Sequence, residues 1–308
     1  MGSSRFPGKT LSDLHGKPML YRLIERVKKS DIINDVVVAT TKKKEDNKLE
    51  SWCNENGIKI YRGSSNDVLE RLKDAAIYYK MQTIVEILGD NPLVHANLID
   101  SCLELFKNGY DYVATVTNEY PNAEQSLMKF PIGVRVQVMS LATLLRCEQL
   151  TKLSHHREHA TSFIAENPKL FKTGFLEAKG FHRQSNRPEL TFAVNEKKNL
   201  ELIRKIYEIY YEDNDDFSVN DAVKACESIS NFKALMGGWF ILKNFYNNNL
   251  FRIKNKFYRE AFYRNFRNLN LIKAYKYRFK HFKFLYQTSN SDQKERIENY
   301  FSVFSLLN

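Results

Sequence analysis

The sequence holds only four cysteines, Cys53, Cys102, Cys147 and Cys226, far apart and with no CxxC pair. That spacing argues against a disulfide framework and against a cysteine zinc site, and predicts buried, reduced thiols. A run of about eighteen apolar residues, the minimum for a spanning helix, is absent. The polar start does not have the form of a secretory signal, and Phe6 stands where myristoylation of Gly2 needs Ser or Thr. A cytoplasmic protein is therefore expected. No glycine is followed, after four variable residues, by GK[ST], and the glycine spacing of the dinucleotide fingerprint is missing. Acidic residues run short in one place only. Residues 241–308 carry 14 Lys+Arg against 4 Asp+Glu, whereas residues 1–240 carry 33 against 32, so the net charge of +11 belongs to the tail.

What is present begins at once. Met1-Gly2-Ser3-Ser4-Arg5-Phe6-Pro7-Gly8-Lys9 combines glycines that allow close backbone approach, hydroxyl and amide donors, and two cations, a composition suited to gripping phosphate. The same composition suits an exposed tail, and local evidence leaves both readings open. With 308 residues and 43% hydrophobic content the chain can bury a full core, with one large domain over 1–232 and an extension over 233–308. Helical periods near 18–29, 44–55, 67–79 and 97–107 alternate with strand patterns at 35–40, 58–61, 83–88 and 112–116, and 133–139 adds another strand. This rhythm predicts an α/β fold, a mostly parallel sheet with helices on both faces, binding its ligand beyond the carboxyl ends of the strands.

The loop is followed by Gly16-Lys17-Pro18-Met19-Leu20, by VVVAT ending at Thr40, by RGSSNDVLER from Arg62 to Arg71 and by Gly89-Asp90-Asn91-Pro92-Leu93. In that order these segments resemble the cytidylyltransferases of bacterial surface polysaccharide synthesis, the spore-coat polysaccharide type, related to CMP-sialic acid and CMP-KDO synthetases. The resemblance covers residues 1 to about 232 and implies a Rossmann-like nucleotidyltransferase that moves CMP from CTP to a sugar with release of pyrophosphate. It implies that Arg5 and Lys9 hold the triphosphate, with Gly2, Ser3, Ser4 and Lys17 along its path and Thr40, Thr41, Arg62, Ser64, Asp67 and Arg71 at the nucleotide. Asp90 takes the place of the family's Mg2+ aspartate, and Asn195 stands where a second metal-binding aspartate is expected. Arg157-Glu158-His159 resembles the family's acceptor motif, so Arg157 and His159 are candidates for the carboxylate or hydroxyls of a sugar that the resemblance implies is acidic, and Arg183 and Arg187 lie in a segment that the family places near the acceptor or dimer partner. A homodimer is implied as well. Other roles remain open for several of these residues: Lys17 as a helix-entry lysine, Asp67 and Arg71 as a helical ion pair, Ser65 or Asn66 as its cap, Asp90 as a helix cap, and 155–157 as a solvated helix start.

Three features depart from the family pattern. Relatives carry a short strand ahead of the loop, which is expected to be missing here through a start assigned at an internal methionine. The segment Pro131 to Val138 offers Ile132, Arg135 and Gln137 where many relatives are acidic. Asn195 brings an oxygen without a charge, which weakens Mg2+ binding and opens an alternative, a catalytically reduced sugar-nucleotide-binding or scaffold protein. After Gly237-Gly238, residues 239–286 interleave Phe and Tyr with Lys and Arg. Three readings stand for them: helices packed on the domain or a second subunit, docking at an anionic inner-membrane face, and RNA contact, which no recognisable nucleic-acid module supports.

Overall fold

The computed structural model describes residues 1–3, 5–119 and 128–236. Ser4 and the aromatic, basic stretch 239–286 lie outside the described residues. All described residues belong to the unit Met1–Asn244.

After the N-terminal loop a small antiparallel hairpin, β1 (Asp13–Leu14) and β2 (Lys17–Pro18), turns through His15 and Gly16, both at positive φ. Helix α1 (Met19–Val27) follows, and its Leu20, Leu23, Ile24 and Val27 are buried, the stripe its sequence spacing dictates. Strand β3 (Val37–Thr41) pairs in parallel with β4 (Lys59–Gly63), and helix α2 (Asn47–Glu55) makes the crossover. Helix α3 (Val68–Tyr78) leads to β5 (Thr83–Glu86), α4 (Ala96–Phe106) to β6 (Tyr112–Thr115), and β7 (Gln137–Ser140) to α5 (Leu141–Leu150). Two short helices, α6 (Ser154–Glu158) and α7 (Ser162–Glu166), precede β8 (Thr173–Leu176), and α8 (Lys197–Tyr210) and α9 (Val219–Ser228) complete the layer structure.

The larger sheet has the order β5-β7-β6-β8. β6 and β8 are parallel, and β7 runs antiparallel to both of its neighbours. The α/β architecture is thus the expected one, with one reversed strand and with the strand expected from residue 133 beginning only at Gln137. Residues 132–133 instead meet the chain near 191–193: Ile132 bridges Thr191, and Gly133 at φ +90° lies so close that a Cβ would stand 2.1 Å from the Ala193 nitrogen. The pair β3–β4 and the four-stranded sheet are not hydrogen-bonded to one another. Apolar Val37 and Val38 on β3, Val85 on β5 and Ile87 just beyond it are only half-buried.

Candidate active site

The N-terminal loop is pinned from inside. Phe6 is buried in the core, its amide donates to Ser3 Oγ at 3.3 Å, and Gly8 at φ +72° folds the chain back so that its amide donates to the Met1 carbonyl at 3.1 Å. A side chain at that φ would be strained, which explains the glycine. The turn delivers Lys9 Nζ to Asp90 Oδ2 at 2.8 Å and to the Val194 carbonyl at 2.7 Å. Arg5 Nη2 reaches Asn195 Oδ1 at 3.1 Å. Asp90 stands four residues beyond the end of β5, and its carbonyl accepts from the Val194 amide at 2.9 Å, so the two metal candidates come from touching backbones. Arg5, Lys9, Asp90 and Asn195 are therefore brought together from three separate segments. Asp90 does not cap the next helix: His95 does, through Nδ1 to the Asn97 amide.

A second group lies where β4 gives way to α3. Asp67 caps that helix by accepting from the Glu70 amide at 2.9 Å, which corrects the expectation of a cap at Ser65 or Asn66. Its other oxygen takes Arg157 Nε at 2.5 Å, across ninety residues of sequence. The helical Asp67–Arg71 ion pair is not made; Arg71 Nη1 donates to the Ser64 carbonyl at 2.5 Å, and burial lowers the Arg71 pKa against the pull of nearby Asp46, Glu86 and Asp67. Arg71 Nε and Arg157 Nη1 are buried with no hydrogen-bond partner among the described residues, so each is a donor that a water or a ligand can take.

At the end of β3, Asp46 Oδ2 accepts from Thr40 Oγ1 at 2.7 Å, from Thr41 Oγ1 at 2.5 Å and from the Thr41 amide at 3.0 Å. Burial works to raise the Asp46 pKa, but these bonds and the Met1 amino group outweigh it and hold the carboxyl well below its usual range. Arg62 is consumed inside the chain, donating to the Thr41 and Lys43 carbonyls, to Asn47 Oδ1 and to Glu50 Oε2.

Over residues 1–220 the chain matches the family described as Cytidylyltransferase. It belongs to that cytidylyltransferase family. It is 29% identical over 214 residues, 68% of this chain and 83% of the other, to the spore coat polysaccharide biosynthesis protein SpsF of Bacillus subtilis. A 3-deoxy-manno-octulosonate cytidylyltransferase of Neisseria meningitidis is 34% identical over 124 residues, 39% of this chain and 47% of that one. A solved cytidylyltransferase from Leptospira borgpetersenii superposes with a TM-score of 0.66 at 24% identity, covering 77% of this chain and 93% of that one, and so shares the fold.

In this cytidylyltransferase the remaining candidates lie apart. Lys17 is exposed, with its ammonium 5.3 Å from the Tyr21 ring centroid. Gly2 and His159 are exposed. Arg187 pairs with Glu189 and, at 2.5 Å, with Glu227 Oε1. Sequence reasoning missed Glu86, an acid in the otherwise apolar run Thr83 to Leu88, which is itself the signal. Glu86 Oε2 accepts from Gln137 Nε2 at 2.5 Å, and Gln137 Oε1 in turn accepts from Arg135, Thr161 and Tyr112. Burial raises the Glu86 pKa, while Arg135 and Arg71 pull it back. This buried network joins the end of β5 to Thr161, just beyond the Arg157-Glu158-His159 motif.

For a divalent ion beside a triphosphate the chain offers the Asp90 carboxylate and the Asn195 amide oxygen. Both are hard oxygen donors, and a Mg2+ ion that takes one or two carboxylates and fills its octahedron with phosphate and water fits such a set.

Proposed function

We propose that this chain transfers CMP from CTP to the hydroxyl of an acidic sugar, releasing pyrophosphate, in the synthesis of a surface polysaccharide. The observation that carries the reading is the convergence of Arg5, Lys9, Asp90 and Asn195 at the end of β5, in a chain of the cytidylyltransferase family. The acceptor oxygen bonds to the α-phosphorus in line while the bond to the pyrophosphate oxygen breaks, so the protein's task is alignment and charge neutralisation. Lys9 has three N–H donors and two are used, by Asp90 and by the Val194 carbonyl. The third is left for a phosphate oxygen. Arg5, exposed and held by a single bond to Asn195, has the rest of its guanidinium free for the triphosphate. Asp90 and Asn195 would hold a Mg2+ ion, which would supply positive charge to offset what develops on the phosphoryl oxygens. On the acceptor side the unpartnered Nη1 of Arg157 is the donor for a sugar carboxylate.

The test is pyrophosphate release from CTP, with UTP as the contrast, in Mg2+ with a panel of acidic and neutral sugars. Release with CTP and one acidic sugar is expected. Binding of CTP without turnover of any sugar would instead support the catalytically reduced binding protein. The same proposal includes a homodimer in the cytoplasm and an anionic membrane face met by residues 239–286, to be read by sedimentation alone and with anionic vesicles. No helix among the described residues is long and apolar enough to cross a membrane.

A further inference from the structure

A cluster of metal-ligating side chains lies beside the acceptor motif and takes no part in the chemistry above. His155 and His156 are neighbours on α6, and α7 brings Glu166 back against them. Glu166 Oε2 is 3.4 Å from His155 Nε2 and 2.8 Å from His156 Nε2, and the three ligand atoms all lie within 4.8 Å of one another. Around a tetrahedral ion with bonds of about 2.0–2.1 Å, ligand atoms stand roughly 3.4 Å apart. Of the three separations, Glu166 to His155 already has that value, Glu166 to His156 needs to open by about half an ångström, and His155 to His156 lies within 4.8 Å.

The surroundings favour a ligand set over a chance surface contact. The His156 side chain is 4% exposed, and its Nδ1 is 2.6 Å from Thr151 Oγ1; the Leu153 amide donates to that same oxygen at 3.3 Å. An outer hydrogen bond of this kind fixes an imidazole ring and directs its other nitrogen at the ion. His155 and Glu166 are 54% and 47% exposed, so the side of the cluster away from His156 opens to solvent. The hydrogen bond with His156 holds the Glu166 carboxyl below its usual range against burial, and the one with His155 adds less than either.

We propose that His155, His156 and Glu166 form a binding site for a first-row transition dication such as Zn2+, with two imidazoles, one carboxylate and an open fourth position. Imidazole donors suit such an ion and not Mg2+, so the site is distinct in preference as well as place from Asp90 and Asn195. Binding replaces the contact between His156 Nε2 and Glu166 and ties α6 to α7. Because α6 carries Arg157, the ion orders the segment that supplies the acceptor cation. The cysteines do not compete: all four are buried, and burial pushes the Cys53 thiol up to about 11 and those of Cys147 and Cys226 up to about 12.

The experiment uses the full-length, tag-free chain, stripped with EDTA and titrated calorimetrically with Zn2+, with Co2+ as a spectroscopic reporter. One Zn2+ per chain is expected, retained in Asp90→Ala and weakened at least about tenfold in His155→Ala and in Glu166→Gln. Both of these positions are exposed, so the variants are expected to keep the fold, and an unchanged far-ultraviolet dichroism spectrum checks it. Absence of Zn2+ binding would overturn the assignment. So would an affinity unchanged in both cluster variants, or one lost in Asp90→Ala.

Discussion

Asn195→Asp replaces one amide by a carboxylate of the same shape and is the sharpest probe of the metal assignment. The oxygen it alters already sits 3.1 Å from Arg5 and on backbone that touches Asp90. Two effects follow from the added charge. With Arg5, which is exposed, the new pair is worth up to about 1 kcal/mol, since solvent screens it. Against a dication about 4 Å away, one unit charge at an effective dielectric constant of 20 is worth about 8 kcal/mol. If only a fifth of that survives water and the competition of Arg5, the gain still exceeds 1.4 kcal/mol, a factor of ten in affinity. The Mg2+ concentration that gives half-maximal pyrophosphate release at saturating CTP is therefore expected to fall at least about tenfold, with turnover rising at limiting Mg2+. A Mg2+ requirement identical to that of the parent would refute the reasoning and remove Asn195 from the ion. Lower turnover at every Mg2+ concentration would show instead that Arg5 needs its freedom more than the ion needs the charge.

Asp90→Ala should abolish Mg2+-dependent turnover, and activity persisting within about tenfold would remove Asp90 from the site. Lys9→Ala deletes charge-assisted bonds worth about 1.5–3 kcal/mol, so KM for CTP should rise by about tenfold to a hundredfold; an unchanged KM would place Lys9 in folding alone. Gly133→Ala forces a Cβ to within 2.1 Å of the Ala193 backbone nitrogen at φ +90° and should cost more than about 3 kcal/mol, seen as a large drop in Tm or loss of soluble protein. The raised Glu86 carboxyl binds its proton more tightly in the folded state, so its contribution to stability is full below the ordinary carboxylate range and is lost as pH rises through the raised value. Glu86→Gln, which stays neutral, should therefore melt higher than the parent at about pH 8 and like it at about pH 4; an equal difference at both would show that the ionisation plays no part.

The elements legible in the sequence are those whose pattern is local. Leu20, Leu23, Ile24 and Val27 describe a helix face by spacing alone, and β3, β4 and β6 are short β-branched runs between helical periods. The reversed direction of β7 was not legible, because alternation of apolar residues marks a strand without marking which way it runs. In the site, Arg5, Lys9 and Asp90 lie in segments that are ambiguous singly and recognisable in their order, and the fold brings them together. The bond between Asp67 and Arg157 joins residues ninety positions apart, and the polarity of either residue fits a solvated helix start equally well. Glu86 carried a visible signal, an acid inside a strand, yet its partners Gln137 and Arg135 come from β7 and the turn before it, a neighbour that periodicity does not assign. Helix α8 was open to reading, since Leu200, Ile203, Ile206 and Tyr207 recur at helical spacing behind a Glu196–Asn199 capping box.

Two cations of the site arrive already matched to carboxylates of the chain, Lys9 to Asp90 and Arg157 to Asp67. A stray anion gains little there, because it must evict or share a partner that is covalently fixed in place and pays no entropy of association. Chloride or acetate brings one charge and no geometry, whereas on the proposed reading a triphosphate arriving with its own dication would satisfy both groups, the dication at Asp90 and a phosphate oxygen at the remaining donor of Lys9. On that reading the self-pairing would act as a filter against the ionic background, favouring a ligand that brings both charges at once over one that brings an anion alone.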